Sequence, residues 1–150
     1  MRKILFLLLT MTALFAEVKV GESFPSFVLV DQFDHNISIE SSTEVLILSF
    51  QKSVSSEIQT FLESKEDDFL EKNHIIYMAD MSSMPSFLVS MFAIPKMKKF
   101  KFKVALIYEE SVADTVPRED DKVTLIRLNE QKIVSIKFIE PKELRNNISK

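Results

Sequence analysis

LILSFQKSVSSEIQTFLE, Leu46 to Glu63, joins two apolar patterns across a polar seam. On its N-terminal side Val45-Leu46-Ile47-Leu48-Ser49-Phe50 is nearly all apolar. A strand apolar on both faces belongs inside a sheet that is covered on both sides. On its C-terminal side the spacing becomes helical: Ile58, Phe61, Leu62, Phe69 and Leu70 fall on one stripe. Glu63, Lys65, Glu66, Asp67 and Asp68 fall mostly outside it. In the seam stand Ser53, Ser55 and Ser56, predicted to cap the first free amides, with Glu57 toward the positive end of the helix dipole. A buried strand feeding an amphipathic helix is the start of an α/β unit.

Outward from this unit the alternation continues. Ile75 to Ala79 is predicted as a second buried strand. A helix is expected to start near Ser83 and Pro85, to bury Phe87, Leu88, Met91 and Phe92, and to end at Pro95. Phe100, Phe102 and Val104 alternate with Lys101 and Lys103 and run into a third strand through Tyr108. A polar loop from Ser111 to Lys122 leads to a hairpin, Val123–Leu128 and Ile133–Ile139, and Pro141 opens a short last helix. Upstream, Phe27–Val30 and Ile37–Ile39 form a hairpin around Asp31-Gln32-Phe33-Asp34-His35-Asn36, where Asp and Asn suit a tight turn. The expected fold is α/β: a central mixed sheet in a three-layer α/β/α sandwich, with an N-terminal β-hairpin.

The chain has 150 residues, 46% hydrophobic and 27% charged, the scale of a single domain. Its formal net charge of -3 carries no basic excess that would suit nucleic acid. It holds one glycine, Gly21, so the glycine clusters that let backbone approach phosphate are missing and nucleotide binding through the common loops is set aside. No cofactor is implied. MRKILFLLLTMTALFA reads as a signal peptide over residues 1–16: Arg2 and Lys3, then an apolar run too short to span a bilayer, then Ala16 as the expected cut. The alternative is that this segment stays as an anchor. Residues 17–150 form the expected domain, periplasmic or secreted. Disulfides are permitted there, yet the chain contains no cysteine.

Val20-Gly21-Glu22-Ser23-Phe24-Pro25-Ser26-Phe27-Val28-Leu29-Val30-Asp31-Gln32, with the order of elements behind it, resembles the thioredoxin-like superfamily. It is most similar to the secreted branch of peroxiredoxins and TlpA/ResA-type thiol oxidoreductases, with YtfJ-type periplasmic proteins a weaker match. The resemblance implies a reactive cysteine at the turn before the first long helix, where the helix dipole lowers a thiol's pKa. That slot falls within Ser53 to Ser56. A serine hydroxyl is far too weakly acidic to become an alkoxide there. The resemblance also implies a cis-proline just before the hairpin, where this chain has Asp121 and Lys122. Ser53, Ser55, Ser56, Asp121 and Lys122 therefore mark a degenerate active-site region, on a scaffold without thiol chemistry.

A catalytic serine needs a base, and the two histidines, His35 and His74, sit at a hairpin turn and at a strand start. Asp31 and Asp34 suit turn chemistry and a carboxylate pair equally well. Met78, Met81 and Met84 are spaced by three, with His74 four residues before them; thioethers are soft ligands that suit Cu(I). Core packing is the plainer use of methionine. Lys96, Lys98, Lys99, Lys101 and Lys103 are expected on the solvated face of an edge strand; the alternative is contact with lipid headgroups or an acidic partner. The leading functional expectation is an unknown periplasmic protein partner docked near Ser53–Ser56 and residues 114–122. The alternatives are a Cu(I) carrier and an enzyme of unrecognised chemistry.

Overall fold

A computed structural model of the chain describes residues 16–148. The expected signal peptide therefore lies, but for Ala16, outside the described residues. Seven strands form one sheet: β1 (Val28–Val30), β2 (Asn36–Ser38), β3 (Val45–Ser49), β4 (Ile75–Asp80), β5 (Ala105–Ile107), β6 (Val123–Asn129) and β7 (Lys132–Ile139). Their spatial order is β2-β1-β5-β4-β3-β6-β7. β3, β4 and β5 are parallel; β6 runs antiparallel to β3, β7 to β6, and β1 to both β5 and β2. This is the expected mixed sheet with an N-terminal hairpin on one flank.

β3 is buried along its whole length, as its sequence demands, and its side chains divide between two cores. Val45 and Ile47 join Tyr77, Ala79, Leu106 and Leu125 on one face of the sheet. Leu46 and Leu48 join Met78, Ala105, Ile107 and Ile126 on the other. The first face is covered by α1 (Lys52–Glu63), α2 (Phe69–Lys72), a helical segment over residues 86–97 and the C-terminal α6 (Leu144–Ile148), through Ile58, Leu62, Leu70, Val89, Leu144 and Ile148. The second is covered by the lead-in residues Val18 and Phe24 and by α5 (Glu110–Ala113) with Val116. Gly21, the chain's one glycine, stands at φ 93° between Lys19 and Glu22, a turn that favours a residue without a Cβ.

Several expectations need correction. The long amphipathic helix is broken: α1 stops at Glu63 and α2 restarts at Phe69. Ser64 ends α1 by donating its hydroxyl to the Phe61 carbonyl at 2.6 Å, the competition with the helix ladder that serine offers. Phe61 and Phe69 still meet, edge to face at 6.1 Å, so the stripe survives across the break.

The segment over residues 86–97 is α3 (Ser86–Leu88), a π-helical stretch (Val89–Ala93) and α4 (Ile94–Met97). Its buried residue is Val89, backed by Ala93, Ile94 and Met97. Phe87, Met91 and Phe92, expected inside, are exposed by 60, 64 and 64%. The segment is apolar nearly all round, so its periodicity had no contrast to mark the inward side. Pro95 does not end it. The π stretch closes on Ile94, and Pro95 occupies the first turn of α4, where a missing N–H leaves nothing unpaired.

Residues 100–104 are not a strand, and β5 begins only at Ala105. Gln32 takes the backbone groups that a ladder would have used, accepting from Val104 N–H at 2.9 Å and donating to the Phe102 carbonyl at 2.8 Å. The lysine run therefore does not decorate an edge, since β5 lies between β1 and β4. Within the loop expected over residues 111–122, α5 occupies the first part.

Candidate functional site

The turn between β3 and α1 is built from side chains that bond backward. Gln51 is the residue at the helix cap, and no side chain caps the first amides of α1, so the capping role expected of the serines is corrected. Ser53, Ser55 and Ser56 lie inside the helix, past the cap. Ser55 Oγ donates to Ser49 Oγ at 2.8 Å and reaches the Gln51 carbonyl at 3.1 Å. Ser56 Oγ donates to the Lys52 carbonyl at 2.9 Å. Ser53 is exposed. Ser49 Oγ in turn lies 3.0 Å from the Tyr77 hydroxyl on β4. Burial pushes the Tyr77 phenol above its ordinary value, against the opposing pull of its serine neighbours. Ser55, Ser49 and Tyr77 thus form a chain of neutral hydroxyls. Among the described residues no histidine or carboxylate is hydrogen-bonded to any of the three, as the base of a serine nucleophile would be.

The second half of the predicted site comes to the same place. Asp121, at φ 59°, donates its N–H to Gln51 Oε1 at 2.6 Å. This single bond fixes the turn before β6 against the start of α1. Lys122 forms an ion pair with Glu140, which raises the lysine above its ordinary value and lowers the carboxyl below its own. From the same loop, the Arg118 guanidinium lies 5.0 Å from the centre of the Phe50 ring and 3.7 Å from Asp80 at the end of β4. Every peptide bond among the described residues is trans.

Beside this turn a groove of about 550 Å³ opens between α1 and the segment over residues 83–97. Phe50, Met81, Met84, Leu88, Phe92, Met97 and Phe100 give it apolar walls. Lys52, Ser55, Ser56, Gln59, Asp80 and Lys96 supply the polar groups. A concave, mostly apolar site with a few polar groups is the usual form of a binding site. The sequence pointed to Ser55 and Ser56 but not to Phe50, Gln59, Leu88, Phe92 or Phe100. The one signal for the latter was an apolar segment too apolar for a helix lying on a surface.

The His/Met series does not converge. Met78 is wholly buried among Leu46, Leu48 and Ile126 on one side of the sheet, while Met81 packs with Val89 and Phe102 on the other. Met84 is exposed at the groove. His74 precedes β4, seven residues from Met81, a separation of roughly 23 Å along an extended chain. No group of three or more histidine or carboxylate side chains among the described residues is placed to hold a metal ion. His35 is an exposed turn residue beside Asp31, its Nδ1 3.5 Å from Asp31 Oδ2. Asp31 Oδ1 accepts from the N–H groups of Phe33 and His35 at 2.7 and 3.0 Å, so turn formation is its role.

The order of strands, with α1 rising from the end of β3 and a β-hairpin closing the sheet, matches solved structures over almost the whole chain. The thioredoxin domain of a thiol-disulfide oxidoreductase from Bacteroides vulgatus superposes with a TM-score of 0.58 at 14% identity, covering 88% of this chain and 96% of that one. The chain has the thioredoxin-like fold. Peroxidoxin BcpB from Mycobacterium tuberculosis gives a TM-score of 0.59 at 11% identity, over 88% of this chain and 94% of that one. A putative thiol:disulfide interchange protein DsbE from Chlorobium tepidum gives 0.57 at 12%, over 87% and 94%. No family model and no curated protein matches the sequence. The likeness is one of fold, and on this thioredoxin-like frame the first turns of α1 carry serines in a chain without cysteine.

Proposed function

We propose that this chain is an exported, non-catalytic thioredoxin-like protein that binds an apolar segment of a partner protein in the groove beside α1. The observation that carries the reading is the groove itself. Its walls are apolar and adjoin the turn into α1, where the resemblance to the thioredoxin-like superfamily implies a reactive cysteine. Thiol–disulfide exchange needs a thiolate as attacking group, and this chain has no cysteine to supply one. What the fold retains there is surface: apolar walls and two lysines, with the one acidic lining residue, Asp80, held by Arg118. Export rests on the sequence of residues 1–16, and mass spectrometry of the chain recovered from fractionated cells would locate the cut.

Photo-crosslinking tests the binding reading. A photoreactive side chain at Phe92, inside the groove, should give a discrete product in cells, and one at the exposed Val134, outside the groove, should not. Ser56→Arg, an exposed change at the groove wall, should cut the Phe92 product roughly ten-fold, the equivalent of about 1.4 kcal/mol of binding. No discrete product at Phe92, or equal products at both positions, would refute the reading.

A further inference from the structure

Residues 81–108 hold five of the chain's 19 basic residues and none of its 22 acidic ones. The structure separates those five lysines into two sets. Lys101 and Lys103 pair with Asp67 and Glu71 at 3.7 and 3.6 Å, on the segment that links α1 to α2 and on α2. Lys96, Lys98 and Lys99 are exposed, and among the described residues no ion pair engages them. Phe87 and Met91 precede them on the helical segment that holds Lys96 and ends at Met97, four residues apart and so on one face, and both are at least 60% exposed. Neither lines the groove, whose wall is made by Met84, Leu88 and Phe92. Large apolar side chains left in water beside unpaired cations call for a covering surface.

The chemistry of the ridge identifies that surface. Phe87 and Met91 project outward, away from the groove, so a protein partner would have to supply a matching hollow. A fluid lipid interface needs none. Interfacial helices carry this combination, phenylalanine or leucine toward the acyl region and lysine toward the headgroups. No helix among the described residues is long and apolar enough to cross a membrane, so the contact lies along the interface. We propose that the ridge over residues 86–99 docks on an anionic lipid bilayer, with Phe87 and Met91 inserted below the headgroups and Lys96, Lys98 and Lys99 against the phosphates. Phe87, Met91, Lys98 and Lys99 do not line the groove, which shares only Lys96 with these contact residues, so docking on lipid does not depend on a partner being bound there.

The chain has no tryptophan, so Phe87→Trp places a single reporter at the point of insertion. With vesicles of equimolar phosphatidylcholine and phosphatidylglycerol its emission should shift to the blue; with phosphatidylcholine alone it should not. Lys98→Gln with Lys99→Gln should weaken vesicle binding about 25-fold, on the scale of roughly five-fold per lysine at an anionic surface. Phe87→Ser with Met91→Ser should abolish flotation with the same vesicles while circular dichroism stays unchanged. An unshifted emission with anionic vesicles overturns the proposal, even if the protein floats, because flotation without insertion reports some other segment. A shift with polyglutamate but not with vesicles also overturns it and points to an acidic protein instead. The reporter variant decides the matter even if the double serine variant fails to fold.

Discussion

Gln32 is 1% exposed and spends its whole amide on backbone. Its Nε2 donates to the carbonyls of Phe102 and Met97, at 2.8 and 3.3 Å, and its Oε1 accepts from Val104 N–H. One side chain thereby ties the β1–β2 turn to the approach to β5, more than 60 residues away. Gln32→Ala leaves these groups buried without partners and should cost about 2–3 kcal/mol in urea unfolding. Tyr77 gives a prediction in pH. Its folded pKa is raised by burial, so the folded state holds the proton more tightly than the unfolded chain does. The stability this confers is complete below the ordinary phenol value of 10.0 and is lost as pH rises through the folded value. Tyr77→Phe should flatten the fall in stability at alkaline pH, at a cost of about 1 kcal/mol near neutrality for the hydrogen bond to Ser49.

Among the elements, the β6–β7 hairpin carries the clearest unused stability. Its two turn residues, Glu130 and Gln131, both adopt positive φ, 48° and 66°. That is the geometry asparagine and glycine prefer in a two-residue hairpin turn, and the left-handed region disfavours glutamate. Gln131 is held for another reason: its amide donates to the Ile39 carbonyl at 3.0 Å, and its own carbonyl accepts from Phe24 at 2.8 Å. Glu130 has no such duty in the turn. Glu130→Asn should therefore stabilise the protein by about 0.5–1 kcal/mol, seen as a higher urea midpoint with an unchanged slope. The helices show the opposite case. The three serines of α1 sit past the cap; Ser55 returns its hydroxyl to Ser49 on β3 and Ser56 donates its own to the Lys52 carbonyl, and the first amides of α1 have no side-chain cap.

For the molecule as a whole, the sheet is the shared wall of two cores, and β3 lies inside it, between β4 and β6. Leu46 and Ile47 are both fully buried and point into opposite cores. Leu46→Ala should cost about 2–5 kcal/mol, by lost burial and the cavity left behind, in a single cooperative transition seen alike by circular dichroism and tyrosine fluorescence. This architecture could be read from the chain. β3 and β4 are apolar on both faces and so had to be interior; β6 and β7 have the length and spacing of a hairpin; the opening stretch to Gln32 matched a known family pattern. Each of those signals is local, or repeats at a period fixed by backbone geometry. The absence of cysteine likewise settled, from composition alone, that no thiol chemistry belongs to this chain. What the sequence could not disclose were contacts made across space. The bond from Asp121 to Gln51 joins residues 70 apart, and the capture of residues 102–104 by Gln32 turns an apparent strand into a pinned loop. The direction faced by Phe87, Met91 and Phe92 depended on a π-helical stretch and on which side met the core, and an apolar segment without polar contrast carries no record of either. Periodicity is stored in neighbouring residues; orientation is decided only when distant ones pack.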